Sequence, residues 1–253
     1  GYRNNLNELV NTDIDYIRNK QVVAGFAYTT KTNSKISIEG YYKDYDNYPF
    51  LSRQGVSLAN IGGDFGVVGN EPANSTSEGR AYGIEVLLQQ RLFKGFYGIA
   101  AYTLGWSQFS DATGAFRPSG WDNRHIVALT AGKKFNKDWE IGARWRFTSG
   151  APFTPADVEA SALIVNWDIN QREIPDYSRV NEGRLPAYHQ LDLRIDKKWF
   201  FKSWSLNLYL EFQNLYGYSI QGSPFVDVVR DENNVPIPDP NDPERYQIRM
   251  IEN

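Results

Sequence analysis

The sequence contains no cysteine, which excludes disulfide bonds, thiolate metal ligands and cysteine nucleophiles. It has only two histidines, His125 and His189, and therefore little material for an imidazole metal site. Lys and Arg number 27 against 30 Asp and Glu, and no basic stripe is present. Because nucleic-acid binding proteins carry such a stripe or patch, we expect no nucleic-acid partner.

Long apolar runs are also missing. No stretch of the 253 residues reaches the eighteen or more consecutive apolar residues of a membrane-spanning helix. Mean hydropathy is −0.53, yet 15% of the residues are aromatic. A membrane-spanning strand is compatible with low mean hydropathy, because only alternate side chains meet lipid. The composition therefore excludes helical spans and leaves strands as the means of crossing a membrane.

Two-residue alternation marks several segments of about ten residues. Between Trp139 and Thr148, apolar side chains alternate with polar, charged or glycine positions, and Leu206 to Gln213 alternates similarly. Because side chains at i and i+2 share one strand face, the pattern predicts strands with one apolar and one polar face. Eight strands are predicted at 20–30, 35–45, 80–92, 96–110, 123–135, 139–149, 186–200 and 205–218, with a weaker ninth near Glu244.

The connections between these strands alternate between very short and very long. Short turns are predicted at 31–34, 93–95, 136–138 and 201–204, and long polar loops at 46–79, 112–122, 150–185 and 219–243. All short turns then lie at one end of the sheet and all long loops at the other. Outer-membrane barrels have this asymmetry, with short periplasmic turns and long extracellular loops. We therefore predict an all-β fold, a partial antiparallel transmembrane β-barrel.

Aromatic residues gather near both strand ends. Trp139 and Phe147 are separated by eight residues, which corresponds to roughly 20 Å along the axis of a tilted barrel and matches a lipid-facing band. A soluble sandwich or lipocalin-like barrel also alternates, but does not need two aromatic belts. Charged residues in mid-strand, such as Arg144, Asp192 and Glu211, further favour a wet lumen.

Eight strands could close a barrel by count, but loops of this length would be unusual over so narrow a barrel, and the ninth strand would be left over. The last residues also lack the aromatic strand with which outer-membrane barrels commonly end. An open sheet in lipid leaves unpaired amides at both edges, each costing several kcal/mol. We therefore expect residues 1–253 to be part of a larger barrel whose remainder, or the barrel-assembly machinery, pairs with the exposed edges.

Several segments, in this order and spacing, resemble the late strands of TonB-dependent outer-membrane receptors, in particular Bacteroidota members. They are Ala81 to Glu85, Phe96 to Thr103, Phe116 to Pro118, Trp121 to His125, Thr148 to Pro155, Leu185 to Arg194, and Leu206 to Tyr216. The resemblance implies a complete protein with a 22-strand barrel and an N-terminal plug, of which this chain is the C-terminal barrel part without the plug.

The resemblance also implies a function in the outer membrane: TonB-energised uptake of a siderophore, vitamin, peptide or glycan. The TonB complex would act through the plug, and a surface lipoprotein is a further potential partner. No cofactor, metal or catalytic residue is expected. Loop aromatic and polar residues are the candidate ligand contacts: Tyr48, Phe50, Arg53, Phe116, Arg117, Trp121, Trp167 and Tyr177.

Some residues also suggest other functions. Ser149, His125 and Asn123 are the residues from which an outer-membrane hydrolase could be built, but no Asp is positioned to orient the base. The two histidines could bind an iron complex, although we favour histidines bonded to neighbours. The acidic segment 227–244 could bind calcium, but it lacks EF-hand spacing. A passive porin or adhesin is the remaining alternative.

Overall fold

The computed structural model describes residues 2–3, 6–62 and 71–252. Eight long strands form one antiparallel sheet in which the spatial order follows the chain order. The strands are β1 Arg18–Thr29, β2 Ser34–Leu51, β3 Ala73–Phe93, β4 Phe96–Ser110, β5 His125–Lys134, β6 Trp139–Thr148, β7 Tyr188–Phe200 and β8 Ser205–Phe212. The eight strands predicted by alternation are thus confirmed, although β8 ends at Phe212 and not at residue 218, because Asn214 and Gly217 take positive φ angles that turn the chain.

The two faces of the sheet follow the alternation. Leu208 and Leu210 of β8 point to the outer face and are each 60% exposed, whereas Asn207 and Tyr209 point to the opposite, inner face. Across β2, β3 and β4, the registered residues Tyr42, Tyr82 and Trp106 stack on the outer face near the long loops. The outer face therefore combines aliphatic residues with an aromatic belt, as a lipid-facing surface requires.

The buried apolar residues do not lie beneath the sheet. Those with the least exposure are at the loop ends of strands or inside the long loops: Leu51, Val56, Ala59, Phe109, Ala162, Trp167, Val180, Val226 and Val228. A soluble sandwich would bury its apolar strand face against a second layer. Here that face is uncovered in the described residues, so the soluble β-domain considered from the sequence does not fit the structure.

Short turns connect β1 to β2, β3 to β4, β5 to β6 and β7 to β8, as predicted. Asn33, Lys94 and Gly95 have positive φ angles of 59°, 50° and 84°. A 3₁₀ turn at Asn136–Asp138 joins β5 to β6, and Lys137 within it has φ of 59°. Left-handed residues reverse the chain within two or three positions, which keeps the turns short.

At the other end, β2 and β3 extend beyond their predicted limits, to Leu51 and from Ala73, with irregular register after Tyr45. Residues 63–70 of the predicted first loop lie outside the described residues. The loops contain short strand pairs and three short helices, α1 Leu58–Ile61, α2 Val158–Ala162 and α3 Ile164–Asn170, with a 3₁₀ turn at Tyr177–Arg179. None of the described helices is long and apolar enough to cross a membrane.

The predicted ninth strand near Glu244 is wrong as a member of this sheet. Asp242–Tyr246 pairs with Pro238–Asp239, and Ile248–Ile251 pairs with Phe225–Val228, all within the last long segment. Ile248–Ile251 pairs with the nearby segment Phe225–Val228 because that segment also alternates and buries Val226 and Val228. Within the described residues the main sheet therefore ends at β8 on one side and β1 on the other, and these two strands do not pair.

Candidate ligand-binding cap

Four long loops cover the end of the sheet opposite the short turns, and together we call them the cap. They are L1 (residues 52–72, of which the structure describes 52–62 and 71–72), L2 (111–124), L3 (149–187) and L4 (213–252). L3 begins and ends in a neck where Pro152–Phe153 pairs with Gly183–Arg184. A Cβ atom at Gly150 would lie 1.6 Å from the carbonyl oxygen of Leu185, so the neck is tight enough to require glycine there.

A buried asparagine joins L1 to L2. Asn60 in α1 accepts a hydrogen bond from the Ser57 amide, and Ser57 caps the same helix. Its amide nitrogen donates to the carbonyl oxygens of Arg117 and Pro118, at 3.2 and 2.9 Å. One side chain thus serves as helix cap and loop connector, which compensates for its burial.

Asn181 extends this connection to L3. It lies within L3 in a left-handed conformation, with φ of 55°. Its side-chain amide donates to the carbonyl oxygens of Asn60 and Pro118, the latter at 2.7 Å. Three loops far apart in sequence therefore meet at two asparagines.

Asp122 is the second junction between L2 and L3, and its carboxylate is fully buried. One oxygen accepts from the Ser107 amide at 2.7 Å. The other accepts from Arg124 at 2.9 Å and from Arg184 of L3, which also donates to the Asp122 carbonyl oxygen. A buried carboxylate is stable only when its oxygens are satisfied in this way.

L4 packs on L3 through contacts nearer the surface. Arg245 forms an ion pair with Glu159, and the Tyr246 hydroxyl donates to Asp168 at 3.0 Å. The amide of Val226 donates to a Glu173 carboxylate oxygen at 2.6 Å. Burial and the hydrogen bond to Asp168 both raise the pKa of Tyr246. The four loops thereby form one connected polar network.

Three candidate ligand residues lie where β2 and β4 enter the cap. The Tyr48 ring lies 4.6 Å from that of Phe109, and Phe50, two residues further along the chain, is half-buried. The Arg80 guanidinium lies over the Phe116 ring at 4.2 Å. The rings of Tyr48 and Phe116 already have partners, so what these two rings offer a solute is their remaining exposed edges.

Arg117 is held by a carboxylate of its own loop. Its Nε atom donates to Asp111 at 2.9 Å. Burial would raise the pKa of Asp111, but hydrogen bonds from Thr113, Arg117 and the amides of Thr113 and Ala115 outweigh it and lower that pKa to about 2. L2 is therefore closed around a permanently charged carboxylate at neutral pH.

Glu71 influences two candidate residues, Arg53 of L1 and Tyr177 of L3. Arg53 lies 3.7 Å from Glu71, and its side chain is 72% exposed. Burial raises the pKa of Tyr177, the charge on Arg172 lowers it, and the charge on Glu71 raises it. The charge of Glu71 thus acts on residues of both loops.

The two tryptophans differ. Trp121 is 51% exposed and offers its ring to solvent. Trp167 in α3 is only 3% exposed, so it packs in the interior of the cap, and its indole nitrogen has no hydrogen-bond partner in the described residues.

Three residues that organise the cap were not predicted as site residues from the sequence: Asp122, Asn60 and Asn181. Each occurs in a loop segment without periodicity.

The inner face of the sheet carries a charged array below the cap. Asp192 lies 2.9 Å from Arg144 and 3.4 Å from Arg146. Arg194 lies 2.8 Å from Asp196. The mid-strand charges noted in the sequence therefore pair on the polar face, both within β7 and between β7 and its neighbours β6 and β8, which is the arrangement of a hydrated lumen.

Both histidines are bonded to neighbouring tyrosines, as favoured from the sequence. His125 Nδ1 lies 2.9 Å from the Tyr102 hydroxyl, and His189 Nδ1 lies 2.7 Å from the Tyr216 hydroxyl. Ser149 Oγ accepts from the backbone amide of His125, at 3.0 Å, rather than from its ring. The imidazole and the hydroxyl of the considered hydrolase site are therefore engaged separately.

The fold and the family together define an outer-membrane β-barrel of the TonB-dependent receptor class. The chain belongs to this family, because the model described as "TonB dependent receptor-like, beta-barrel" matches residues 1–215. A comparison with curated proteins found no match.

Solved structures of receptors share the fold. Fiu, a ferric-catecholate import receptor from E. coli K12, aligns with a TM-score of 0.54 and 13% identity over 98% of this chain and 28% of its own. The outer-membrane ferripyoverdine receptor of Pseudomonas aeruginosa, bound to ferripyoverdine, aligns with a TM-score of 0.55 and 14% identity, over 90% and 26%. The FpvAI–pyocin S2 complex aligns with a TM-score of 0.54 and 13% identity, over 98% and 27%. This chain thus spans about a quarter of the length of these receptors.

Proposed function

We propose that this chain forms part of the wall and outer cap of a receptor that captures a scarce nutrient and imports it using energy from TonB. The cap carries the proposal. Buried contacts at Asn60, Asn181 and Asp122 fix three long loops against one another, so the surface side chains are held in place before a solute arrives. Such preorganisation lowers the entropy cost of binding and suits capture of a dilute solute.

The surface residues of the cap define the proposed contact region. Arg53 and Trp121 are the most exposed of the candidates, and Tyr177 is half-buried in the 3₁₀ turn of L3. Tyr48, Phe50, Phe116 and Arg117 form the supporting layer at the strand ends. Trp167 supports the cap from within rather than contacting solute.

The net charge of the cap favours some classes of solute over others. L1 to L4 contain nine Lys and Arg against seventeen Asp and Glu, a net charge of −8. A surface potential of this sign attracts cationic solutes and repels polyanionic chelates, and it does not oppose the approach of neutral solutes. Of the siderophore, vitamin, peptide and glycan classes, we therefore favour neutral or cationic members, with aromatic faces such as Trp121 suited to stacking on sugar rings.

The proposed partners follow from the family. The open edges at β1 and β8 would pair with the remaining strands of the receptor barrel, and assembly machinery would hold them during insertion. A plug domain would contact the TonB complex, and a surface lipoprotein could cover the cap. Lipid of the outer membrane would surround the apolar outer face.

The test is energy-dependent uptake by cells producing the full-length protein. We expect uptake of a neutral oligosaccharide, cobalamin or a cationic peptide to exceed that of an anionic ferric chelate, and to stop when TonB is removed. Uptake that continues without TonB would indicate a passive porin and contradict the proposal. Cell adhesion without any uptake would favour the adhesin alternative.

A further inference from the structure

The short-turn end of the sheet is strongly basic. We define the turn rim as residues 29–36, 89–98, 132–141 and 195–206, which are the four turns with their flanking strand ends. The rim holds ten Lys and Arg against three Asp and Glu, a net charge of +7. Because the whole chain has a net charge of −3, the other residues together carry −10. The rim is thus opposite in charge to the rest of the chain.

Lys133 is a rim cation on the lipid-facing side. It shares the outer face of β5 with Leu129 and is registered with Ile141 of β6. Its ammonium lies 4.3 Å from the centroid of the Phe96 ring and 5.1 Å from that of Phe135. These contacts hold the charge within the aromatic belt.

Lys197 occupies an equivalent place two strands away. It is registered with Trp139 on the outer face, and its ammonium lies 5.8 Å from the Trp139 ring centroid and 5.1 Å from that of Trp199. It also donates to the carbonyl oxygen of Lys137 in the adjacent turn. Two pairs of aromatic rings near the short turns therefore hold outward-facing ammonium groups, which are two residues apart in register.

Neither ammonium forms an ion pair with a carboxylate of the described residues. The nearby carboxylates are on the inner face, where Glu140 accepts from Tyr97 and lies 4.0 Å from Lys134, while Asp196 pairs with Arg194. Long cationic side chains at a membrane interface extend toward the headgroup layer. The anion available to them there is a lipid phosphate.

We propose that Lys133 and Lys197 bind phosphate groups of anionic phospholipids in the leaflet beside the short turns. The turn residues Lys94, Lys137 and Lys202 add a positive field that concentrates such lipids. The site fixes the position of the barrel rim relative to the headgroups. The identity of the leaflet as periplasmic rests on the proposed receptor topology; the lipid preference itself does not.

The test measures bound phospholipids by native mass spectrometry on the full-length protein, released from nanodiscs of equal phosphatidylglycerol and phosphatidylcholine. We expect wild-type protein to retain phosphatidylglycerol preferentially. The double variant Lys133→Gln and Lys197→Gln should lose that preference by about fivefold per lysine. Lys133→Arg with Lys197→Arg should restore it.

The matched control is Lys35→Gln with Lys198→Gln, which removes two rim charges from the inner face and should leave the preference nearly unchanged. Heat-dependent electrophoretic mobility verifies that each variant is folded. If both double variants lost the phosphatidylglycerol preference equally, or if the wild type showed no such preference, the proposed lipid site would be wrong. Since both nanodisc leaflets have the same composition, a wrong topology would leave this measurement unaffected.

Discussion

Arg184 at the neck of L3 forms an ion pair with the fully buried carboxylate of Asp122 in L2. The two residues of this pair are 62 positions apart in sequence. Because Arg184 also donates to the Asp122 carbonyl oxygen, it holds both the side chain and the backbone of L2. This single side chain therefore couples the position of L3 to L2, and through Asp122 to Ser107 near the end of β4.

Replacing Arg184 with glutamine should loosen L3. The buried carboxylate of Asp122 would keep Arg124 and the Ser107 amide but lose its second cation, at a cost of about 1–3 kcal/mol. Hydrogen exchange of L3 peptides should become correspondingly faster. Arg179→Gln, which breaks an exposed ion pair with Glu182, is the control and should leave the exchange of L3 nearly unchanged, because solvent screens an exposed pair. Equal exchange in the two variants would show that the buried pair does not hold the loop.

Residues on the two faces of β8 offer a direct test of the lipid-facing surface. Arginine at Leu210, on the outer face and deeper in the apolar band than Leu208, which is registered with the rim residue Lys197, should lower the free energy of unfolding by about 1–2 kcal/mol. Arginine at Asn207 faces inward beside Asp196 and should be tolerated. Folding in vesicles of the full-length protein, followed by heat-dependent gel mobility, measures both. Similar losses at the two positions would contradict the assignment of the faces.

The absence of cysteine makes topology easy to test by labelling. Cysteines at the exposed positions Ile169 and Asn233 should react with a membrane-impermeant maleimide on intact cells. Cysteines at Thr32 and Ser203, in the short turns, should react only after the outer membrane is opened. We avoid Asn33 and Lys137, because their positive φ angles would strain a substituted residue. The opposite labelling pattern would show that the short turns face outward and the long loops face the periplasm.

Acid should release L2 at a pH set by Asp111. Its pKa is lowered from 3.8 to about 2 in the folded chain, so the carboxylate stabilises L2 above pH 3.8 and this contribution disappears as pH falls toward 2. Hydrogen exchange of residues 111–118, corrected for intrinsic rates, should increase over that interval. Asp111→Asn should exchange faster at neutral pH and lose the acid-dependent step. A step of the same size in the variant would assign it to another group.

The strands and turns could be predicted because each depends on local pattern. The alternation of Leu206 to Phe212 survives in the structure unchanged. The cap could not be predicted in the same way, since Asn60, Asn181 and Asp122 meet through tertiary contacts between distant loops. The segment Ile248–Ile251 alternates like a barrel strand, yet it pairs locally with Phe225–Val228. Alternation identifies a strand but leaves its partner undetermined.

The chain-order sheet also has consequences for biogenesis. Each of the eight strands hydrogen-bonds to strands adjacent to it in sequence. Every hairpin therefore finds its docking edge on a hairpin next to it in the chain, and its short turn adds little closure entropy. Pairing within the described sheet thus needs no contact between hairpins that are distant in sequence. A fault in one hairpin leaves its chain neighbours without an edge to pair with.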